Sequence, residues 1–100
     1  MAQVLVTPAA REDLERMIRT HSLPADTVAR VAGSLRALES FPLLGPALEG
    51  RWDGFRFVLG HWRWMIVVYL VDDARERVSV VTIQDARSSS AATGTRERDA

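Results

Sequence analysis

FRFVLGHWRWMIVVY, residues 55–69, is dominated by aromatic and β-branched side chains, the types that suit a pleated, half-buried surface. Gly60-His61 interrupts the run where a tight turn is needed, because glycine accepts positive φ without steric penalty. The stretch therefore reads as a β-hairpin whose second strand starts at Trp62 and runs to Val71. The polar segment Asp72-Asp73-Ala74-Arg75-Glu76 is a second break, and Val78-Ser79-Val80-Val81-Thr82-Ile83 is a further strand. Alternation puts Trp62, Trp64, Ile66, Val68 and Leu70 on one side of the middle strand, and Arg63, Met65, Val67, Tyr69 and Val71 on the other. Both sides are apolar over most of their length, so this strand is expected to be central and covered twice. Arg63 then stands as a charge in the middle of an apolar sheet, where an unpaired cation is costly.

Upstream of the hairpin the pattern changes to helical. Gln3 to Val6 is a short strand, and Thr7-Pro8 is a helix start, with threonine as N-cap and proline at the first helical position. Ala10, Leu14, Met17 and Ile18 make a one-sided apolar stripe, which predicts a helix to about Thr20. A second helix is expected from about Pro24 to Ser40 on Val28, Val31, Ala32, Leu35 and Leu38, with Gly33 allowing close packing on the first. Phe41-Pro42 ends it, and PLLGPALEG, residues 42–50, is an ordered loop. The order β-α-α-β-β-β implies an α+β domain, a two-helix hairpin packed on one face of an antiparallel sheet that is mixed at the N-terminal strand. The 42–50 loop, the tail, a second copy of the chain or a partner chain must cover the other face.

Length fits a single domain over residues 1–87, and the small, polar tract SSSAATGTRERDA, residues 88–100, is expected to be disordered. The chain has no cysteine, which excludes disulfides and thiolate metal sites, and His21 and His61 lack metal-ligand spacing. No metal or other cofactor is expected. No apolar run reaches membrane-spanning length and no signal-peptide pattern opens the chain, so a cytoplasmic protein is expected. The 13 basic residues balance 13 acidic ones, and every basic residue is arginine. Overall neutrality argues against a simple polyanion-coating protein, so any nucleic-acid contact must rest on a local patch.

TPAAREDLERM, LRALESFPLLGPALEG and FRFVLGHWR, in this order on a β-α-α-β-β-β frame, resemble the RelE/ParE superfamily of bacterial toxins over about residues 3–88. The resemblance implies a RelE-like fold and the growth-inhibiting half of a type II toxin–antitoxin pair, with a cognate antitoxin as partner. It further implies a metal-independent endoribonuclease that cuts messenger RNA on the ribosome, or else a ParE-like inhibitor of DNA gyrase, or a non-toxic module that only binds its antitoxin. Carried over by position, Arg56 follows an aromatic on the second strand, Arg63 lies seven residues on in an aromatic-arginine pair, and Arg87 follows the last strand. The resemblance assigns these three arginines to phosphate binding and charge stabilisation, which phosphodiester cleavage needs.

Arg51, His61 and Trp62 are the candidates for substrate binding around that centre, Trp62 by stacking on a base. The sequence also departs from the superfamily. A tyrosine usually stands three residues after the second arginine, where Ile66 stands here; if Tyr69 is the anchor instead, the arginine's place falls at Ile66. The second lysine of RelE-like enzymes falls at Val58, and no aromatic follows the last strand.

Overall fold

The computed structural model describes residues 1–87, so the expectation of a disordered tail lies outside the described residues. Strands β1 (Gln3–Val6), β2 (Arg56–Leu59), β3 (Met65–Asp72) and β4 (Arg77–Asp85) form one sheet in the order β1-β4-β3-β2. β1 runs parallel to β4 and the other pairs are antiparallel, which is the mixed sheet expected from sequence. Helices α1 (Pro8–Thr20), α2 (Thr27–Leu35) and α3 (Ala37–Ser40) precede the hairpin. Among the described residues no helix is long and apolar enough to cross a membrane.

β3 is central and covered on both faces. Met65, Val67 and Tyr69 pack with Ala10, Leu14 and Met17 of α1 and with Val31 and Leu35 of α2. Ile66 and Val68 pack on the opposite face beneath Leu48, Trp52, Phe55 and Phe57. The segment leading into β2 therefore supplies the second cover. It is stitched to the open edge of β2 through Leu48 N–H to Phe55 O (2.8 Å) and Phe57 N–H to Pro46 O (3.3 Å). Such stitching satisfies backbone groups that an edge strand would otherwise leave open.

Gly45 makes this docking close. Its N–H donates to the buried Tyr69 hydroxyl at 2.9 Å, and the Arg56 guanidinium donates to its carbonyl at 2.7 Å. Burial pushes the Tyr69 hydroxyl above the usual phenol range, against the opposing pull of the Gly45 hydrogen bond and the Arg56 charge.

The N-cap of α1 is as expected. Thr7 Oγ1 accepts from Ala10 N–H at 3.2 Å and donates to Val80 O at 2.8 Å, so the cap also ties the helix to the sheet. Further along α1, Asp13 accepts from the Thr82 hydroxyl at 2.6 Å and from Ile83 N–H at 3.2 Å. These bonds follow a bulge: Val68 faces Thr82 but Tyr69 faces Val80, leaving Val81 as the extra residue. Asp13 thus fixes the last turn of β4 against α1.

Three expectations need correction. The second helix is not continuous: it breaks at Arg36, whose N–H bonds back to Gly33 O at 3.3 Å, a tightened i→i+3 turn between α2 and α3. Gly33 is exposed, and a Cβ there would meet nothing within 4 Å, so it serves no close packing. The third correction bears on the site: β3 begins at Met65, and residues 60–64 form a loop.

Candidate functional site

The 60–64 loop closes where the sequence suggested a two-residue turn. Gly60 N–H donates to Met65 O at 2.9 Å and Met65 N–H donates to Trp62 O at 3.0 Å. A Cβ on Gly60 would stand 2.6 Å from Met65 Sδ and would push the buried Met65 side chain aside; the positive φ expected of this glycine is not adopted, and Gly50 and Gly54 are the described glycines that do adopt one. Trp62 and Trp64 do not stand on one side of a strand as alternation implied. They fold back and stack on each other, with ring centroids 5.9 Å apart and planes 18° from parallel. Both pack at the margin of the core beneath the helices. Burying two indoles outweighs continuing a ladder at the sheet's end, and Arg63 between them is turned outward. Arg63 is therefore exposed on a loop rather than held mid-sheet, and it has no ion pair or hydrogen bond among the described residues.

The aromatic stack extends in both directions. His61 meets Trp62 edge-on at 4.8 Å, and His21 lies flat on Trp64 at 5.0 Å with planes 9° apart. His61 Nε2 is 3.0 Å from an Arg30 guanidinium nitrogen. A guanidinium can only donate, so His61 Nε2 accepts and the ring proton of the neutral form sits on Nδ1. His21 caps the C-terminus of α1, its Nδ1 lying 2.9 Å from Thr20 Oγ1 and its Nε2 3.0 Å from Asp85 Oδ2. A carboxylate only accepts, so Nε2 carries the proton there.

Asp85 also receives Arg87. Arg87 Nε donates to Oδ1 and a terminal nitrogen to Oδ2, both at 2.9 Å, and the Arg87 backbone N–H adds a third bond at 2.9 Å. The guanidinium carbon sits 5.0 Å from the centre of a Trp64 ring, in cation–π range. The Arg87 bonds hold the Asp85 carboxyl far below the usual carboxylate range, with burial opposing and the Arg87 backbone and His21 assisting. The same pair raises Arg87 above its ordinary value. The loop and β4 meet through Ala86 N–H to Trp64 O at 2.6 Å, which brings the strands' ends together.

Of the candidates drawn from the sequence, Arg63, Arg87, His61 and Trp62 gather at this end of the sheet. Arg56 and Arg51 do not. Arg56 pairs with Tyr69, three residues of strand before Leu59, or roughly 10 Å from the loop. Its guanidinium holds the Gly45 carbonyl, and it lies part-buried. Arg51 sits in a 3-10 turn over Trp52, its guanidinium carbon 6.0 Å from the ring centre. Neither Asp53 nor Asp85 pairs with Arg63; the Asp85 carboxylate is taken by His21 and Arg87. His21, Asp85 and Trp64 also belong to the cluster; Arg87 reaches Asp85 through the turn that follows β4, its backbone N–H closing on the carboxylate, and the Asp85-Ala86-Arg87 spacing was the available signal, since aspartate commonly accepts from the backbone two residues on. Among the described residues no three His, Cys, Asp or Glu side chains gather to hold a metal ion.

A cavity of about 360 Å³ adjoins this cluster between α1 and the end of β4, lined by Asp13, Arg16, Thr20, His21, Gln84 and Asp85 among others. The end of the sheet is therefore polar and open, with indole and imidazole planes behind it. Guanidinium groups over such planes bind phosphate groups and can stack bases.

Comparison with known proteins fits this architecture. The family model for the ParE toxin of type II toxin–antitoxin systems matches residues 4–89. No curated protein sequence matches the chain significantly. Among solved structures, the RelBE2 toxin–antitoxin complex of Mycobacterium tuberculosis superposes with a TM-score of 0.64 at 24% identity, covering 84% of this chain and 96% of that one. YafQ of E. coli gives 0.59 at 13% identity, over 85% of this chain and 93% of its own. The YoeB-YefM toxin–antitoxin complex of Staphylococcus aureus gives 0.57 at 16% identity, over 84% and 95%. At these identities the likeness speaks for the fold, a two-helix layer on a mixed four-stranded sheet. The family match extends over nearly the whole described chain, and the protein belongs to the ParE toxin family of type II toxin–antitoxin systems.

Proposed function

We propose that this toxin arrests growth by cutting messenger RNA on the ribosome, with the 60–64 loop and the end of β4 as its working surface. The observation that carries the reading is that the loop exposing Arg63 meets the turn exposing Arg87, with Arg87 over Trp64 and Trp64 stacked on Trp62. In the proposed reaction the 2′-hydroxyl of a nucleotide attacks its own 3′-phosphate. The O2′–P bond forms, the P–O5′ bond breaks, the 2′ proton leaves to a base, and the departing 5′ oxygen takes a proton. Arg63 and Arg87 stabilise the charge that builds on the phosphoryl oxygens. His61 stands at the same end, but its accepting Nε2 is engaged by the Arg30 guanidinium at 3.0 Å, so it serves as the base only once RNA displaces that contact. Trp62 offers a plane for an adjacent base. The reaction as written draws on these side chains and no metal ion.

A second reading, inhibition of DNA gyrase by binding alone, is favoured by a specific observation. Arg56 is engaged by the Gly45 carbonyl and Arg87 by Asp85, leaving Arg63 as the one of the three catalytic candidates without an internal partner among the described residues. A cognate antitoxin is proposed as partner under both readings, in line with the family match and with the two toxin–antitoxin complexes among the similar structures. Induced expression in a bacterium separates the readings. The ribonuclease predicts growth arrest with immediate loss of protein synthesis and transcripts cut within coding regions. Filamentation with intact transcripts and relaxed plasmid DNA points to gyrase, and unimpeded growth removes both.

A further inference from the structure

We infer that Asp85 is a positioning residue for Arg87, fixing one edge of the guanidinium so that the other is presented to a substrate phosphate. The inference rests on the proposed reading that Arg87 meets RNA. Asp85 takes the Nε and one terminal nitrogen, while the other terminal nitrogen makes no hydrogen bond among the described residues. Five donors in a planar fork allow a carboxylate on one edge and a phosphate on the next.

A carboxylate in contact with an arginine can instead act as a competitor for the substrate, and the geometry separates the two roles. A competing acid would sit on the outer edge and swing away when phosphate arrives. Asp85 is held independently of the Arg87 side chain, by the Arg87 backbone N–H at 2.9 Å and by His21 Nε2 at 3.0 Å. His21 is itself fixed, by Thr20 and by stacking flat on Trp64. The Asp85 side chain is 21% exposed against 63% for Arg87, so the acid forms the inner wall and the guanidinium the outer surface. Trp64 completes the mount, since its ring contacts both the His21 imidazole and the Arg87 guanidinium. α1, the 60–64 loop and β4 thus converge on the orientation of one side chain.

The test is ribosome-dependent RNA cleavage by the full chain and its variants. Asp85→Asn is expected to lower kcat at least about tenfold with KM little changed, as for a misplaced charge-stabilising group. Added to Arg87→Ala, the same substitution is expected to lower kcat no further, because its effect runs through Arg87. Asp85→Glu, which keeps the charge and shifts it by one methylene, is expected to recover part of the loss. Unchanged or raised kcat in Asp85→Asn, or losses that add in the double variant, would overturn the inference.

A second readout is independent of activity. The Arg87 Nε–H signal in nitrogen-15 NMR is expected to exchange slowly in the wild type and quickly in Asp85→Asn. Equal exchange in both would also overturn the inference. If the wild type cuts no RNA, the proposed function fails, while the NMR comparison still decides whether Asp85 holds Arg87. Should Asp85→Asn not fold, Asp85→Glu carries both measurements, with reduced kcat and faster exchange expected.

Discussion

Replacing Gly45 by alanine should cost more than a surface-loop substitution normally does. A Cβ at this position falls far inside contact distance of the Phe57 carbonyl oxygen, 2.8 Å from its carbon and 3.0 Å from the Tyr69 hydroxyl. Two of these atoms are backbone of a paired strand and cannot rotate away, so the 45–48 segment must lift. Forcing a methyl into such a filled site costs about 1–3 kcal/mol. Lifting the segment also removes the Gly45 N–H bond at 2.9 Å from a hydroxyl on a residue with no exposed surface, which adds about 1–3 kcal/mol. Leu48, 2% exposed, would lose part of its cover over Ile66 and Val68 as well. The combined loss should reach about 3–5 kcal/mol, a large share of the roughly 5–15 kcal/mol by which domains are stable. At about 4 °C or more per kcal/mol, the midpoint of thermal unfolding should fall by at least about 12 °C. Urea and thermal melts followed by tryptophan fluorescence measure this, since Trp52 packs in the same cluster. A loss below about 1 kcal/mol would refute the claim that this segment closes the second face of the sheet.

Tyr69 is the one tyrosine of the chain, so its ionisation is readable by absorbance without assignment. Its folded value is raised from 10.0, chiefly by burial. Its contribution to stability is therefore full below pH 10 and lost as pH rises through the folded value, and tyrosinate should appear only at or beyond that point. Tyrosinate forming at the pH of a free tyrosine in the folded protein would contradict the burial of the hydroxyl. Asp85 has the opposite sign: its folded value is depressed, first by the Arg87 bonds. Its stabilisation is full above the ordinary carboxylate value of about 4 and is lost as pH falls from there through the folded value. Asp85→Asn should flatten the acid limb of the stability curve, whereas an unchanged limb would show that the pair contributes nothing.

The sequence made the fold legible where local chemistry and pattern agree. Thr7-Pro8 capped the helix it predicted, the stripe Ala10, Leu14 and Met17 is buried, and Met65 to Tyr69 alternates between two apolar faces as its residues imply, whereas Leu70 is exposed beyond the second cover. It misled where tertiary contacts override pattern. Trp62 and Trp64 have strand spacing, but stacking with His21, distant in sequence, folds them into a loop. That removed Arg63 from the sheet and made the desolvation argument for its role inapplicable. The candidate site was legible only in part for the same reason. Arg63, Arg87, His61 and Trp62 converge because the loop meets the end of β4, a contact between residues far apart in the chain. Arg56 looked equivalent to them by position, yet Gly45 lies beside it in space and takes its guanidinium.

Arg63 is an exposed guanidinium with no ion pair among the described residues. Arg63→Ala, expressed beside the wild type, should lose growth arrest while its stability stays within about 0.5 kcal/mol, because the truncated side chain supports nothing inside the fold. Full toxicity in a folded Arg63→Ala variant would contradict the placement of the working surface at this end of the sheet.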